Sequence, residues 1–323
     1  MTETTDLLAL TGRDLDGRTT TWELKRDGAV NLPGSALFTQ RVLDTDGTGL
    51  LLRRPRRGGD AAAHRGLDNE IRALARLSRA YPGGRRPFPR LVGYDMDGAA
   101  PWALLEEPRG KPGRSATNGL FPSAHVDFAV SVLDAVAHAA LVEVSINGLA
   151  LDTLYVEGKS VQVVSFEHAL LFGEPRPHQP DQTAPGPASD QHDLLAAGKV
   201  LYEVFAGVPA QSDRPDLSEL AMLASRLPDL FAPDGSRPSA VALLVQLGRV
   251  EVPAPVRGDH LDAGRAAFQA ARGRKLPPTP APPRRAGQPV PPARGPRPAR
   301  LIAVGLLCAV VLAAVLVLAL GGR

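Results

Sequence analysis

Hydrophobic positions in this chain follow two periods. In "GTGLLLRRP" an apolar run follows a turn at Asp46-Gly47 and reads as a short strand. In "LDNEIRALARL" apolar residues recur every three or four positions, so Leu67, Ile71, Leu74 and Leu77 share one face of a helix. "PRLVGYDMDGAAPWALLEEPRG" reads as two strands around a glycine-bearing turn. From His125 onward, the spacing of Val126, Val130, Leu133, Ala137 and Leu141 predicts a long amphipathic helix. "DTLYVEGKSVQVVSF" predicts a β-hairpin turning at Glu157-Gly158. "DLLAAGKVLYEVFAG" is apolar on nearly every face, as a helix running through the middle of a core would be. The remainder to about Val250 reads as helices joined by polar loops. Strands with one helix come first and helices second, which predicts an α+β chain with a mainly β lobe followed by a mainly α lobe.

Beyond residue 250 both periods disappear. The prolines of "KLPPTPAPPRRAGQPVPPARGPRPAR" favour extended polyproline II segments and forbid helix, giving a semi-rigid spacer. Residues 301–320 are then apolar without interruption, and 13 of them are Leu, Ile or Val. As a helix such a run rises about 30 Å, the thickness of a bilayer's hydrocarbon core. The expectation is a single transmembrane helix, with the arginine-rich flank in the cytoplasm and only 321–323 outside. Gly305, Ala309 and Ala313 recur every four residues within it, a small-residue stripe that would let two such helices pair.

Charge changes the picture more than overall composition does. The net charge of +3 conceals an asymmetry: ten of the 37 basic residues follow Asp262, where no acidic residue occurs. The preceding 262 residues carry 27 basic against 34 acidic side chains. An acidic body is a poor partner for nucleic acid, so none is expected. The single cysteine, Cys308, excludes an internal disulfide, and the histidines form no zinc-like cluster with it. The first twenty residues are polar and acidic, unlike a secretory signal.

Three stretches then carry a resemblance. "SINGLALD" precedes the predicted hairpin, and "SFE" (Ser165, Phe166, Glu167) follows it. Farther on comes "PDQTAPGPASDQHDLLAAGKVLYEV". Their order and spacing resemble the eukaryotic-type Ser/Thr protein kinase family found in bacteria, over roughly residues 22–250. The resemblance puts Asn147 at the catalytic aspartate, Asp152 at the asparagine five residues later, and Ser165-Phe166-Glu167 at Asp-Phe-Gly. It also puts Asp193 at the aspartate opening the central helix, and Asp181 and Arg237 at an acid–arginine pair. In the first lobe it sets Arg53 at the strand lysine and Glu70 at the helix glutamate that pairs with it.

The departures fall on the chemistry. An amide at 147 is not basic near neutral pH, and a serine at 165 removes the principal Mg²⁺ ligand. Arg53 keeps its charge, but its planar fork would not place phosphates as an ammonium does. "GAVNLPGSALF" retains Gly34 but lacks closely spaced glycines. The loop 168–180 contains no Ser, Thr or Tyr for a switching phosphate. The resemblance therefore implies a bilobal protein-kinase-like fold that has lost catalysis, a pseudokinase acting as a cytoplasmic scaffold or regulator. The alternatives are a divergent active Ser/Thr kinase and an unrelated α+β binding module.

Expected organisation is an N-terminal tail (1–18), a kinase-like N-lobe (19–108), a C-lobe (109–250), a Pro/Arg-rich linker (251–300), the membrane helix (301–320) and a short outside tail (321–323). No catalytic or metal residue is expected. Arg53, Glu70, Asp152 and Glu167 are the candidates for a degraded ATP cleft. No cofactor is expected, with weak ATP binding left open, and the protein partner is unnamed. Asp152 and Glu167 would together hold a cation only in a rearranged site; the plainer expectation is two solvated acids at strand ends. Asp193 is expected to cap the N-terminus of its helix.

Overall fold

A computed structural model describes residues 7–56, 61–83, 86–118, 120–176, 186–249, 251 and 254–256. The expected membrane helix with Gly305, Ala309 and Ala313, nearly all of the linker, and Asp181 lie outside the described residues.

The β-rich part is a closed six-stranded barrel in the order β1-β2-β3-β4-β6-β5. Its strands are β1 (Leu7–Arg13), β2 (Thr19–Val30), β3 (Leu37–Leu43), β4 (Gly49–Pro55), β5 (Leu91–Asp95) and β6 (Trp102–Glu106). Helix α1 (Ala61–Ala80) lies between β4 and β5 in the chain. The 1–18 segment, expected as a tail, is thus corrected: residues 7–13 form β1. Leu8 and Leu10 alternate with the more exposed Leu7, Ala9 and Thr11, which is the period of a half-buried strand. The turn into β2 is held by Asp14, whose carboxylate accepts from the backbone N–H groups of Asp16 and Arg18 at 2.9 Å each. A polar, acidic composition hid a strand whose inward residues are few.

Leu24, Val42, Leu50, Leu52, Trp102 and Leu104 fill the barrel. Trp22 meets Trp102 edge-to-face, 5.6 Å between ring centres. Gly12 and Gly93 make room for these rings, since a Cβ at either would collide with an indole. On β4, Leu50 and Leu52 point into the barrel, whereas Leu51 and Arg53 fall on the alternate face, toward α1. Leu67, Ile71, Leu74 and Leu77 are buried as their spacing predicts, and each contributes roughly 1.5–3 kcal/mol by leaving water.

The helix-rich part begins with β7 (Lys111–Pro112), α2 (Gly113–Thr117) and α3 (His125–Leu141). Next come β8 (Val144–Ser145), the hairpin β9 (Leu154–Glu157) and β10 (Ser160–Val163), and β11 (Leu170–Leu171), which pairs with β8. Helices α4 (Asp190–Ala206), α5 (Ala221–Arg226) and α6 (Ala240–Gln246) complete it. Gly158, at φ +60°, turns the hairpin where the sequence predicts.

Helix α3 differs from the expected single stripe. Phe128, Ala129, Val132 and Val136 are buried beside Leu133 and Ala137, while Leu141 is exposed. The reason is that α4, α6 and β10 all pack on it, so burial wraps most of the helix. With the turn before it, α3 forms the helix Pro122–Leu141, the one among the described residues long and apolar enough to cross a membrane. Its buried side chains make it a core helix here.

Candidate functional site

The four candidate residues divide into a cluster of three and one residue apart. Strand alternation turns Arg53 toward α1, and helical spacing sets Glu70 among Leu67, Ile71 and Leu74 on the face that meets the strand. Arg53 Nη1 donates to Glu70 Oε1 at 2.5 Å, and both side chains are 0% exposed. Arg53 Nη2 donates to Glu167 Oε1 and, at 3.0 Å, to Ser35 Oγ. The fork thus reaches two carboxylates at once, which an ammonium group would not do with the same geometry.

Glu167 is anchored on all sides. Its Oε2 accepts from the Ala36 backbone N–H at 2.9 Å, and Oε1 also accepts from the Ser35 hydroxyl. Asn69 Nδ2 donates to the Glu167 backbone carbonyl at 3.0 Å. At 4% exposure Glu167 is a buried acid, which corrects the expectation of a solvated one. Glu70 Oε1 additionally accepts from the Phe166 N–H at 3.2 Å, and Arg53 Nη1 reaches the Val164 carbonyl at 3.3 Å. Phe166 itself is buried in the large core. One polar cluster therefore joins the β2–β3 loop, β4, α1 and the segment after β10.

Two carboxylates share one guanidinium, with a consequence for protonation. Burial pushes the Glu70 carboxyl up to about 7; Arg53 opposes this and the nearby Glu167 charge adds to it. Glu70 Oε2 and Arg53 Nε are buried without hydrogen-bond partners.

Asp152 stands outside this cluster. It lies in a short 3-10 turn, Leu151–Thr153, where both its oxygens accept from Arg114, Oδ2 at 3.0 Å from Nη2. The same arginine donates to Glu203 at 2.8 Å. Asp152 is ion-paired rather than simply solvated, and no contact places it with Glu167 on a shared cation. Among the described residues no group of three or more His, Cys, Asp or Glu side chains could hold a metal ion.

Asp193 also departs from expectation. Ser189 occupies the N-cap position of α4, and Asp193 sits within the helix, buried. Its two oxygens accept from the backbone N–H groups of Ile146 and Asn147, both at 2.7 Å. Burial raises its carboxyl to about 7, against the opposing effect of those N–H bonds. Asn147 is left-handed, φ +49°, a conformation asparagine tolerates better than most residues. Its side chain donates to the His168 carbonyl at 3.1 Å.

Arg237 donates to the Leu230 and Gln191 carbonyls and to Asp234. Its expected partner, Asp181, lies outside the described residues. Ser35, Arg114 and the Ala36 N–H were not singled out from the sequence. The one available signal was the turn at Gly34, φ +74°, which precedes Ser35 and Ala36. Neither a protein-family model nor a curated protein matches this chain.

Proposed function

We propose that this protein is a membrane-anchored pseudokinase, a protein-kinase-like domain that serves as a cytoplasmic scaffold or regulator and does not transfer phosphate. The observation that carries the reading is the buried Arg53–Glu70 pair between β4 and α1. The kinase resemblance specifies this pair from two separate stretches of sequence, and an unrelated α+β module has no reason to form it. Asp193 adds support, because it holds the backbone of the loop where the resemblance puts the catalytic aspartate.

The loss of activity rests on what the side chains can do. Asn147 cannot take a proton from a hydroxyl nucleophile, and its amide is engaged with the His168 carbonyl. Ser165 offers no carboxylate to a metal. Arg53, which would have to meet nucleotide phosphates, is committed to Glu70 and Glu167. Base, metal ligand and phosphate contact act as a unit, so their losses compound. Membrane attachment through residues 301–320 follows from their uninterrupted apolar run.

The test is phosphate transfer by the full chain in detergent micelles, with radiolabelled ATP and either Mg²⁺ or Mn²⁺. The expected result is no incorporation into itself or a generic basic protein, for the native chain and for Asn147→Asp alike. Robust incorporation by the native chain, abolished by Asp152→Ala, would replace this reading with that of a divergent active kinase.

A further inference from the structure

We infer that Glu167 is an internal ligand: its carboxylate occupies an oxyanion receptor built from the Arg53 guanidinium, the Ser35 hydroxyl and the Ala36 N–H, and so latches the β2–β3 loop to the segment after β10. Three observations lead there. The donors come from two separate elements, β4 and the β2–β3 loop, and converge on one carboxylate. One guanidinium arm (Arg53 Nη2), a hydroxyl and a backbone N–H form the kind of donor set that receives carboxylates and phosphates generally. Finally, Glu167 is not needed as a counter-ion. Glu70 already pairs with Arg53, and a second buried carboxylate makes the cluster more costly to desolvate. A fold that keeps this extra acid, with both of its oxygens used, gains a fastening between the loop and the segment after β10.

The latch is competitive by construction. Glu167 is tethered beside the buried Phe166, so its effective concentration at the receptor is on the order of millimolar or above. A free oxyanion must exceed that to enter, and in the native chain it does not. With the tethered carboxylate removed, the same donors face an empty place of carboxylate size. Backbone and side chains then offer a small oxyanion the contacts Glu167 gave up. The inference rests on the geometry of the cluster and not on the absence of phosphate transfer, so either can fail alone.

The experiment compares the native full chain with Glu167→Ala and Glu167→Gln in detergent. Melting is followed against inorganic phosphate at constant ionic strength, and hydrogen exchange is followed at Ala36. In Glu167→Ala, phosphate should raise the melting temperature saturably, recovering about half of what the substitution removed, and Ala36 should exchange at least about tenfold faster. The native chain should show no saturable response. In Glu167→Gln the carboxamide loses the charge facing Arg53 and one of its two acceptor oxygens, so the melting temperature should fall clearly below native without phosphate uptake. This variant keeps the test decisive if Glu167→Ala does not fold. Saturable stabilisation of the native chain would overturn the inference. So would a native-like melting temperature in Glu167→Gln, or a folded Glu167→Ala that does not respond to phosphate.

Discussion

Near the barrel, charge is buried against charge; in the helix-rich part, a carboxylate is buried against amides. Arg53 pairs with both Glu70 and Glu167 although Arg53 Nε and Glu70 Oε2 stay unpartnered, and the arrangement works only with those side chains in place. Asp193 instead holds the backbone N–H groups of Ile146 and Asn147, which every residue except proline supplies. Side-chain chemistry is therefore constrained at 53, 70 and 167, whereas the anchor asks only for an N–H at 146 and 147, where burial holds Ile146 and the left-handed backbone favours Asn147. The anchor therefore needs no acid, base or nucleophile at either position. The difference shows that one loop is held through its backbone and the other cluster through its side chains.

The comparison can be broken by mutation. Arg53→Ala should have the largest effect, costing about 3–5 kcal/mol when measured at about pH 8, above the Glu70 midpoint, because it removes the guanidinium that both buried acids share. Asp193→Ala should cost less, about 2–3 kcal/mol, since it strands two N–H groups and no charge. Urea titration of both variants measures this, and the reverse order would show that the amide anchor outweighs the ion cluster.

Titration sharpens the contrast. Glu70 and Asp193 both hold their proton to about pH 7 when folded, above the ordinary carboxyl range. Folding binds protons at these sites, so their contribution is full in acid and is lost as pH climbs toward 7. Stability should therefore fall between about pH 5 and 7.5, each group contributing at most about 1.4 kcal/mol per pH unit. Glu70→Gln should flatten its share of the slope; a pH profile unchanged by that substitution would mean Arg53 keeps Glu70 ionised.

The smallest effect should come from Asp152→Ala. Arg114 is largely exposed and keeps Glu203, so the loss should stay under about 1 kcal/mol in the same urea titration. A cost approaching that of Arg53→Ala would make Asp152 part of the central cluster after all.

Legibility from sequence followed the range of the forces involved. Arg53 and Glu70 were paired through the kinase resemblance; strand alternation and helical spacing are local signals that set which face each residue takes, not which partner it meets. Burial of Glu167 could not be read, because its donors lie more than 110 residues away in the chain. Asp193 looked like a cap because aspartate near a helix start usually is one; its actual partners are loop amides 46 and 47 residues earlier. Asp152 could not be matched to its arginine, because Arg114 lies 38 residues earlier on α2, a five-residue helix too short to show periodicity. β1 was missed because its partners, β2 and β5, are what make it a strand.

That first strand has a practical consequence. β1 pairs with β2 along seven residues and meets β5 at Arg13 and Tyr94, closing the sheet on itself. A chain trimmed to begin at Thr19 would bare the edges of both β2 and β5 and uncover Trp22 and Trp102. Open edges of this kind recruit strands from neighbouring molecules. The residues of β1 thus cover two edges on which strands of other copies would otherwise pair, a service to solubility that is separate from the buried ion cluster.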